Sequence, residues 1–317
     1  MAEIKVVLHY DAGSGLVSRL QALAAEGLRV ETCSERDDER FAHLMSDAEV
    51  LWHVLRPVTS EVISRAPRLR LIQKIGVGVN TIDLEAARRR GILVCNMPGT
   101  NSQAVAEMTL LLMLATLRRL THFDRRTRAG RGWEIDPEMM ERLGEIHGRR
   151  IGLIGFGAIP TLLAPWLKAM GAEVAYTEPV IKAGVDIRFL PLEDLLATSD
   201  IVSLHLPLTD ETARMINHAA LARMKPGAIL INTARGGLID EPALIEALGS
   251  GRLAAAGLDV FAEEPARAIN PLFALDNVVL APHIAWITGA TLERSLTVAV
   301  ENCRRLATGA PALHRVV

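Results

Sequence analysis

The sequence predicts an α/β protein with two doubly wound parallel sheets, and three observations predict it. Short apolar runs alternate with helical segments along most of the chain, the pattern of parallel strands buried on both faces. One segment, Gly148 to Glu178 (GRRIGLIGFGAIPTLLAPWLKAMGAEVAYTE), reads as strand, glycine turn, helix, strand and terminal acid. At 317 residues the chain has the length of about two domains.

In order, Ile4 to Leu8 reads as a strand and Gly15 to Glu26 as a helix. Val50 to Leu55, Leu69 to Ile75 and Ile92 to Asn96 are further strands, separated by helices at Thr59 to Arg65 and Asp83 to Arg90. Gly91 is a helix stop and Met97-Pro98-Gly99 a hinge. A long helix is expected from Ser102 to Arg119, capped by Asn101 or Ser102. Thr121 to Ile146 is then a polar, basic arm with Trp133 at its middle. An arm of that length is read as part of a dimer contact. After the glycine segment, strands fall at Ile201 to Leu204, Ala228 to Asn232, Ala254 to Leu258 and Asn277 to Leu280. Helices at Leu192 to Thr198, Asn217 to Met224 and Glu241 to Leu248 separate the earlier of them, and a last helix runs from Thr288 to Ala307. Gly309 to Val317 carries no recognisable signal.

The glycine segment has the layout of a dinucleotide site. Gly155 permits the tight turn, and Gly157, without a Cβ, lets a pyrophosphate approach the backbone. The amides of Ala158 and Ile159 would face that phosphate from the positive end of the helix. Glu178 would accept hydrogen bonds from a ribose diol and repel a 2′-phosphate, which favours NAD; Lys182 nearby leaves NADP as the lesser option. Pro160 stands where such a fingerprint has its third glycine, and Pro165, past the first turn, predicts a kink or a lost hydrogen bond.

Composition excludes other classes. Half the residues are apolar, 23% are charged and the formal net charge is −2, so short basic clusters such as Arg88-Arg89-Arg90 read as solvated helix faces rather than a nucleic-acid site. No apolar run approaches the ~20 residues that span a bilayer, and MAEIKVVLHY lacks the form of a signal peptide. Cys33, Cys95 and Cys303 are odd in number and without CxxC pairing, which reads as buried free thiols in a reducing, cytoplasmic setting.

Chemistry in such a sheet belongs at the carboxyl ends of strands. Arg235 in INTARGGLID, Glu264 in LDVFAEEP and His283 in VVLAPH follow three successive strands and can converge on one crevice. Singly, each has a plain structural reading: an arginine paired with a neighbouring acid, a solvated loop glutamate, an isolated structural histidine. His205 in SLHLP is a rival that, with Pro207, reads as part of a cofactor-facing loop.

Together the motifs KIGVGVNTIDLEAARRRGI, NSQAVAE, GLIGFGAI, LHLPLTDET, MKPGAILINTARGGLIDEPAL, GLDVFAEEP and PHIAW resemble, in this order, the D-isomer-specific 2-hydroxyacid dehydrogenases over nearly the whole chain. The resemblance implies two Rossmann-like domains, with a nucleotide domain of residues 99–285 inserted into a substrate domain split between 1–98 and 286–317. It implies hydride transfer between NAD and a small 2-oxo or D-2-hydroxy acid. Arg235 would bind the carboxylate and carbonyl, His283 would exchange the proton, and Glu264 would favour the imidazolium and orient it. Thr233, Ala234 and Asp259 join the cofactor-facing residues. His53, Val77, Gly78 and Trp286 join the substrate-facing ones, with the Val77 and Gly78 amides on the carboxylate. A homodimer through residues 102–146 is implied as well. No metal is implied.

Similarity to glycerate dehydrogenases at HIAW favours hydroxypyruvate or glyoxylate as substrate. The alternative is 3-phosphoglycerate dehydrogenase activity, with His53 and Arg56 meeting the phosphate. Formate dehydrogenase is disfavoured, because Ala281-Pro282 stand where its glutamine would. From another class, a non-catalytic NAD-binding regulatory module shares the fold and the trio, and turnover separates it from an enzyme.

Overall fold

The computed structural model describes residues 3–134 and 136–317; Met1, Ala2 and Ile135, the last inside the expected arm, lie outside the described residues. The chain forms two compact units, Met1–Asn101 with Thr288–Val317, and Ser102–Ile287.

The first unit runs β1 (Ile4–His9), α1 (Ser14–Ala22), β2 (Leu28–Cys33), α2 (Asp38–Met45), β3 (Val50–His53), α3 (Ser60–Ser64), β4 (Leu71–Lys74), α4 (Leu84–Arg89) and β5 (Leu93–Cys95). Its five strands are all parallel in the order β2-β1-β3-β4-β5. The caps are the expected kind: Asp37, Thr59 and Asp83 accept the amides of Arg40, Val62 and Ala86 at the starts of α2, α3 and α4. Gly91 follows α4 at φ +66°.

The second unit opens with α5 (Ser102–Leu117), α6 (Leu120–Arg128) and α7 (Pro137–Glu141). It continues with β6 (Arg150–Ile154), α8 (Ala158–Ala169), β7 (Glu173–Thr177), β8 (Arg188–Phe189), α9 (Leu192–Thr198) and β9 (Ile201–Leu204). Then come α10 (His218–Arg223), β10 (Ala228–Asn232), α11 (Glu241–Gly249), β11 (Leu253–Leu258) and β12 (Val278–Leu280). The seven parallel strands lie in the order β12-β11-β10-β9-β6-β7-β8. Alternate residues feed two cores. Leu204, Leu230 and Leu258 pack on one face with residues of α9, α10 and α11, and Ile151, Leu153 and Ile231 pack on the other with α5 and α8. The strand order reverses between β6 and β9, the point where such sheets bind ligands.

The last helix, α12 (Gly289–Thr308), belongs to the first unit. It is tied there by a buried hydrogen bond of 2.6 Å from the Asn302 amide to Gln73 on β4.

Several features depart from the sequence reading, the short strand β8 among them. The strand β2 and helix α2 were not expected. β2 is an edge strand whose outward Arg29 and Glu31 break the apolar run that marks a buried strand. The arm is partly helical, as α6 and α7. The closing residues pair with β5, since Val316 donates to the Val94 carbonyl at 2.7 Å and Arg315 bridges Cys95 antiparallel.

Both prolines of α8 are accommodated. Pro160 is buried at the third helical position, where an N–H would have no intrahelical partner. Pro165 removes the donor for the Thr161 carbonyl, yet the helix continues to Ala169. All three cysteines are free and buried, and among the described residues no helix is long and apolar enough to cross a membrane.

Candidate active site

The glycine turn leaves β6 at the reversal point. Gly155 has φ +89°, and a Cβ there would overlap the His205 carbonyl, because the strand end of β9 crosses directly against it. The His205 amide donates to the Ile154 carbonyl at 2.7 Å and locks the two strand ends together. Gly157 is exposed, and a Cβ on it would meet nothing within 4 Å. That open backbone, followed by the first-turn amides of Ala158 and Ile159, fits a pyrophosphate. Glu178 closes the far end: its Oε1 accepts the Phe156 amide at 2.5 Å, and Lys182 Nζ lies 3.7 Å from the same oxygen.

Beyond β10, Asn232 shapes the turn that carries Arg235. Its side chain accepts the Ala234 amide and donates to the Arg235 carbonyl, both at 2.9 Å. Gly236 must be glycine, since a Cβ would overlap the Phe261 backbone carbonyl. The chain after Arg235 is thereby pressed against the loop that carries Glu264. The hydroxyls of Thr233 and of Thr109 on α5 share a hydrogen bond of 2.9 Å. Neither Asn232 nor Gly236 was singled out from the sequence; the one signal was a strand-closing Asn before an Arg-Gly-Gly turn.

His283 Nδ1 lies 2.7 Å from Glu264 Oε2, and Glu264 Oε1 accepts the Phe261 amide at 2.9 Å. Burial works against the Glu264 charge most strongly, but the hydrogen bond and charge of His283, the Phe261 amide and Arg235 outweigh it and hold the carboxyl below its ordinary range. Burial lowers the Arg235 pKa while Glu264 opposes that shift, and a guanidinium stays charged regardless. His283 adopts φ +57°, an uncommon conformation for a residue with a side chain. Asp259 supports it. Its carbonyl accepts the His283 amide at 2.7 Å, and its two carboxylate oxygens accept the Ile284 and Ala285 amides at 2.8 and 2.9 Å. Asp259 is fully buried, so this carboxylate brackets the loop.

The structure thus brings Arg235, Glu264 and His283 together and revises two other expectations. His53 is fully enclosed on β3, with Nε2 2.8 Å from the Thr81 hydroxyl. Burial, then Lys74 and His9, push its pKa well below the ordinary value, so it is a neutral core residue and not a substrate contact. His205 turns its ring inward onto Ser203 Oγ at 2.9 Å, and burial lowers its pKa to about 3; what it offers the nucleotide turn is its backbone. Pro207 is exposed in the following loop, and Trp286 is half-buried. In the first unit Val77 is exposed and Gly78 half-exposed, in a loop whose Val77 carbonyl accepts the Asn96 side-chain Nδ2 at 2.9 Å. No cluster of residues suited to a metal ion occurs among the described residues.

A nucleotide turn at the reversal point, with an arginine, a glutamate and a histidine on neighbouring strand ends, defines the class of dinucleotide-dependent oxidoreductases. The comparisons narrow it. The family model of the D-isomer specific 2-hydroxyacid dehydrogenase, NAD binding domain, matches residues 110–285. A glyoxylate reductase of Aeropyrum pernix is 42% identical over 273 residues, covering 83% of this chain and 81% of its own length. A D-3-phosphoglycerate dehydrogenase of Mycobacterium leprae is 41% identical over 251 residues, 78% of this chain but 47% of its own. Among solved structures, the TT0316 protein from Thermus thermophilus superposes with a TM-score of 0.89 at 38% identity, covering 99% of this chain and 100% of that one. The chain belongs to the D-isomer-specific 2-hydroxyacid dehydrogenase family. It is an NAD-dependent oxidoreductase that moves hydride between the nicotinamide and a small 2-oxo or D-2-hydroxy acid.

Proposed function

We propose that the protein reduces a small, unphosphorylated 2-oxo acid, glyoxylate or hydroxypyruvate, with Arg235, Glu264 and His283 as its catalytic residues. The contact between His283 and Glu264 carries this reading. When bound, NADH would supply the hydride. Arg235 holds the substrate carboxylate and carbonyl through its forked donors, a geometry lysine does not copy. His283, with Nδ1 on Glu264, presents Nε2 to the carbonyl oxygen and gives it a proton in reduction, taking it back in oxidation. Glu264 compensates the imidazolium and fixes the ring. Trp286 lines the pocket. Residues 155–159, Glu178, the 205–207 loop, Thr233, Ala234 and Asp259 form the cofactor side.

Arg56 supports the choice of an unphosphorylated substrate over 3-phosphoglycerate. Its guanidinium pairs with Asp38 at 2.8 Å and bonds the Glu35 carbonyl, partners that a phosphate would have to compete with. In this reading Ser102–Ile287 is the nucleotide unit, and Met1–Asn101 with Thr288–Val317 is the substrate unit. We read the oligomer as a homodimer through residues 102–146. There an apolar groove of about 380 Å³ is lined by Leu111, Leu114, Leu120 and Phe123, with Leu111 51%, Leu120 54% and Trp133 84% exposed. The buried free thiols suit a cytoplasmic setting.

The test is NADH oxidation with glyoxylate, hydroxypyruvate and 3-phosphohydroxypyruvate at graded concentrations. Turnover of either unphosphorylated acid, well above the phosphorylated one, is expected. No turnover with any of the three despite NADH binding would favour the regulatory-module reading.

A further inference from the structure

An acid at the end of the second strand of a dinucleotide fold selects against NADP, because its charge repels the 2′-phosphate. Here that acid is not alone. Glu178 Oε1 accepts the Phe156 amide at 2.5 Å, and Lys182 Nζ sits 3.7 Å from the same oxygen while donating to the Phe156 carbonyl. The two charges therefore flank one residue of the glycine turn, and their sum at the turn is zero.

The lysine is placed by the fold rather than by a loose loop. Its own backbone amide donates to the Tyr176 hydroxyl at 3.1 Å, and Tyr176 is a buried residue of β7 packed on Phe156. The Lys182 side chain is also the more accessible of the two, 42% exposed against 22% for Glu178. A 2′-phosphate at this end of the turn can therefore reach the lysine as well as the carboxylate. Lysine suits that encounter, as a compact charge with three rotatable donors on a flexible stem.

We propose that Lys182 is a counter-charge at the adenosine ribose subsite, which lets that subsite take a 2′-phosphate as well as a free 2′-hydroxyl. The protein then uses both NADH and NADPH. With the phosphorylated cofactor, Lys182 leaves the Phe156 carbonyl for the phosphate and Glu178 stays on the Phe156 amide. With the unphosphorylated one, Glu178 takes the ribose diol and Lys182 keeps the turn closed. The proposal rests on the nucleotide role of the segment from Gly155 to Glu178.

The experiment measures dissociation constants calorimetrically on the full chain, for NADH, NADPH, 5′-AMP and 2′,5′-ADP, in wild type, Lys182→Met, Lys182→Arg and Glu178→Gln. The nicotinamide-free pair reads the ribose subsite without catalysis. Lys182→Met should weaken NADPH and 2′,5′-ADP about tenfold more than their unphosphorylated counterparts, the size of one charge-assisted hydrogen bond. Lys182→Arg should restore them, and Glu178→Gln should shift preference toward the phosphorylated ligands. Equal weakening of both kinds by Lys182→Met would show a brace for the turn alone and overturn the proposal. So would wild-type protein that binds NADH but neither phosphorylated ligand. Folded wild-type protein that binds no NADH would instead refute the nucleotide reading beneath it.

Discussion

His283 and Glu264 stand 19 positions apart in the chain, yet their side chains meet at 2.7 Å, with Asp259 holding the backbone on the histidine side. A histidine in the left-handed region is kept there by three hydrogen bonds from the loop to one buried aspartate. In the proposed mechanism this histidine is therefore held in place before any substrate arrives.

If that histidine moves the proton, His283→Ala lowers kcat by about 10²- to 10⁴-fold while the calorimetric affinity for NADH stays near wild type. Glu264→Gln keeps an acceptor but loses the charge, and about a tenfold loss in kcat/KM is expected. Wild-type turnover in both variants would remove the pair from the site.

Arg235→Lys retains the charge and loses the fork. A drop in kcat/KM on the order of a hundredfold is expected, with the thermal midpoint little changed. A midpoint that falls along with activity would mark Arg235 as structural instead.

Gly236 is the packing point between the arginine turn and the glutamate loop. Gly236→Ala places a methyl on the Phe261 carbonyl and should cost about 3 kcal/mol or more of stability. Denaturant titration measures it; a change under about 0.5 kcal/mol would show that the two loops separate freely.

Acid stability follows from His205. Burial takes its folded pKa from an ordinary 6.5 to about 3. Between those values the unfolded chain binds a proton that the folded chain does not, so stability is complete above about pH 6.5 and falls as pH drops toward 3. Buried His9 and His53 are shifted in the same direction and add to the loss. His205→Gln should flatten the slope of unfolding free energy against pH by about 1.4 kcal/mol per pH unit near pH 5. An unchanged slope would mean that His205 titrates normally in the fold.

The homodimer reading has its own test. Leu120→Asp puts a charge beside the apolar groove at the start of α6, and light scattering should then report the monomer mass. A wild-type protein that is already monomeric would retire the arm as an interface.

Much of this protein was legible in one dimension. Strand ends such as Ile154, Leu204, Asn232 and Leu258 are read from period and burial, because a parallel strand covered on both faces must be apolar along its length. Arg235, Glu264 and His283 stand out because each follows such a strand. What one dimension could not show was how neighbouring strand ends press on one another. Gly155 is needed for a turn, but also because the His205 carbonyl crosses it. Asp259 reads as a cofactor-side residue, but that its two oxygens also take the Ile284 and Ala285 amides is visible only in the fold. His53 reads as a pocket residue until β3 proves to be an interior strand with Thr81 over its end. Edge strand β2 escaped notice for the converse reason, since half its surface faces water and its residues are free to be polar. Local sequence determines which backbone each segment adopts. Which polar atoms then face one another is decided only when strands far apart in the chain are laid side by side, because hydrogen bonds and charge pairs act over ångströms in space and carry no trace in the intervening residues.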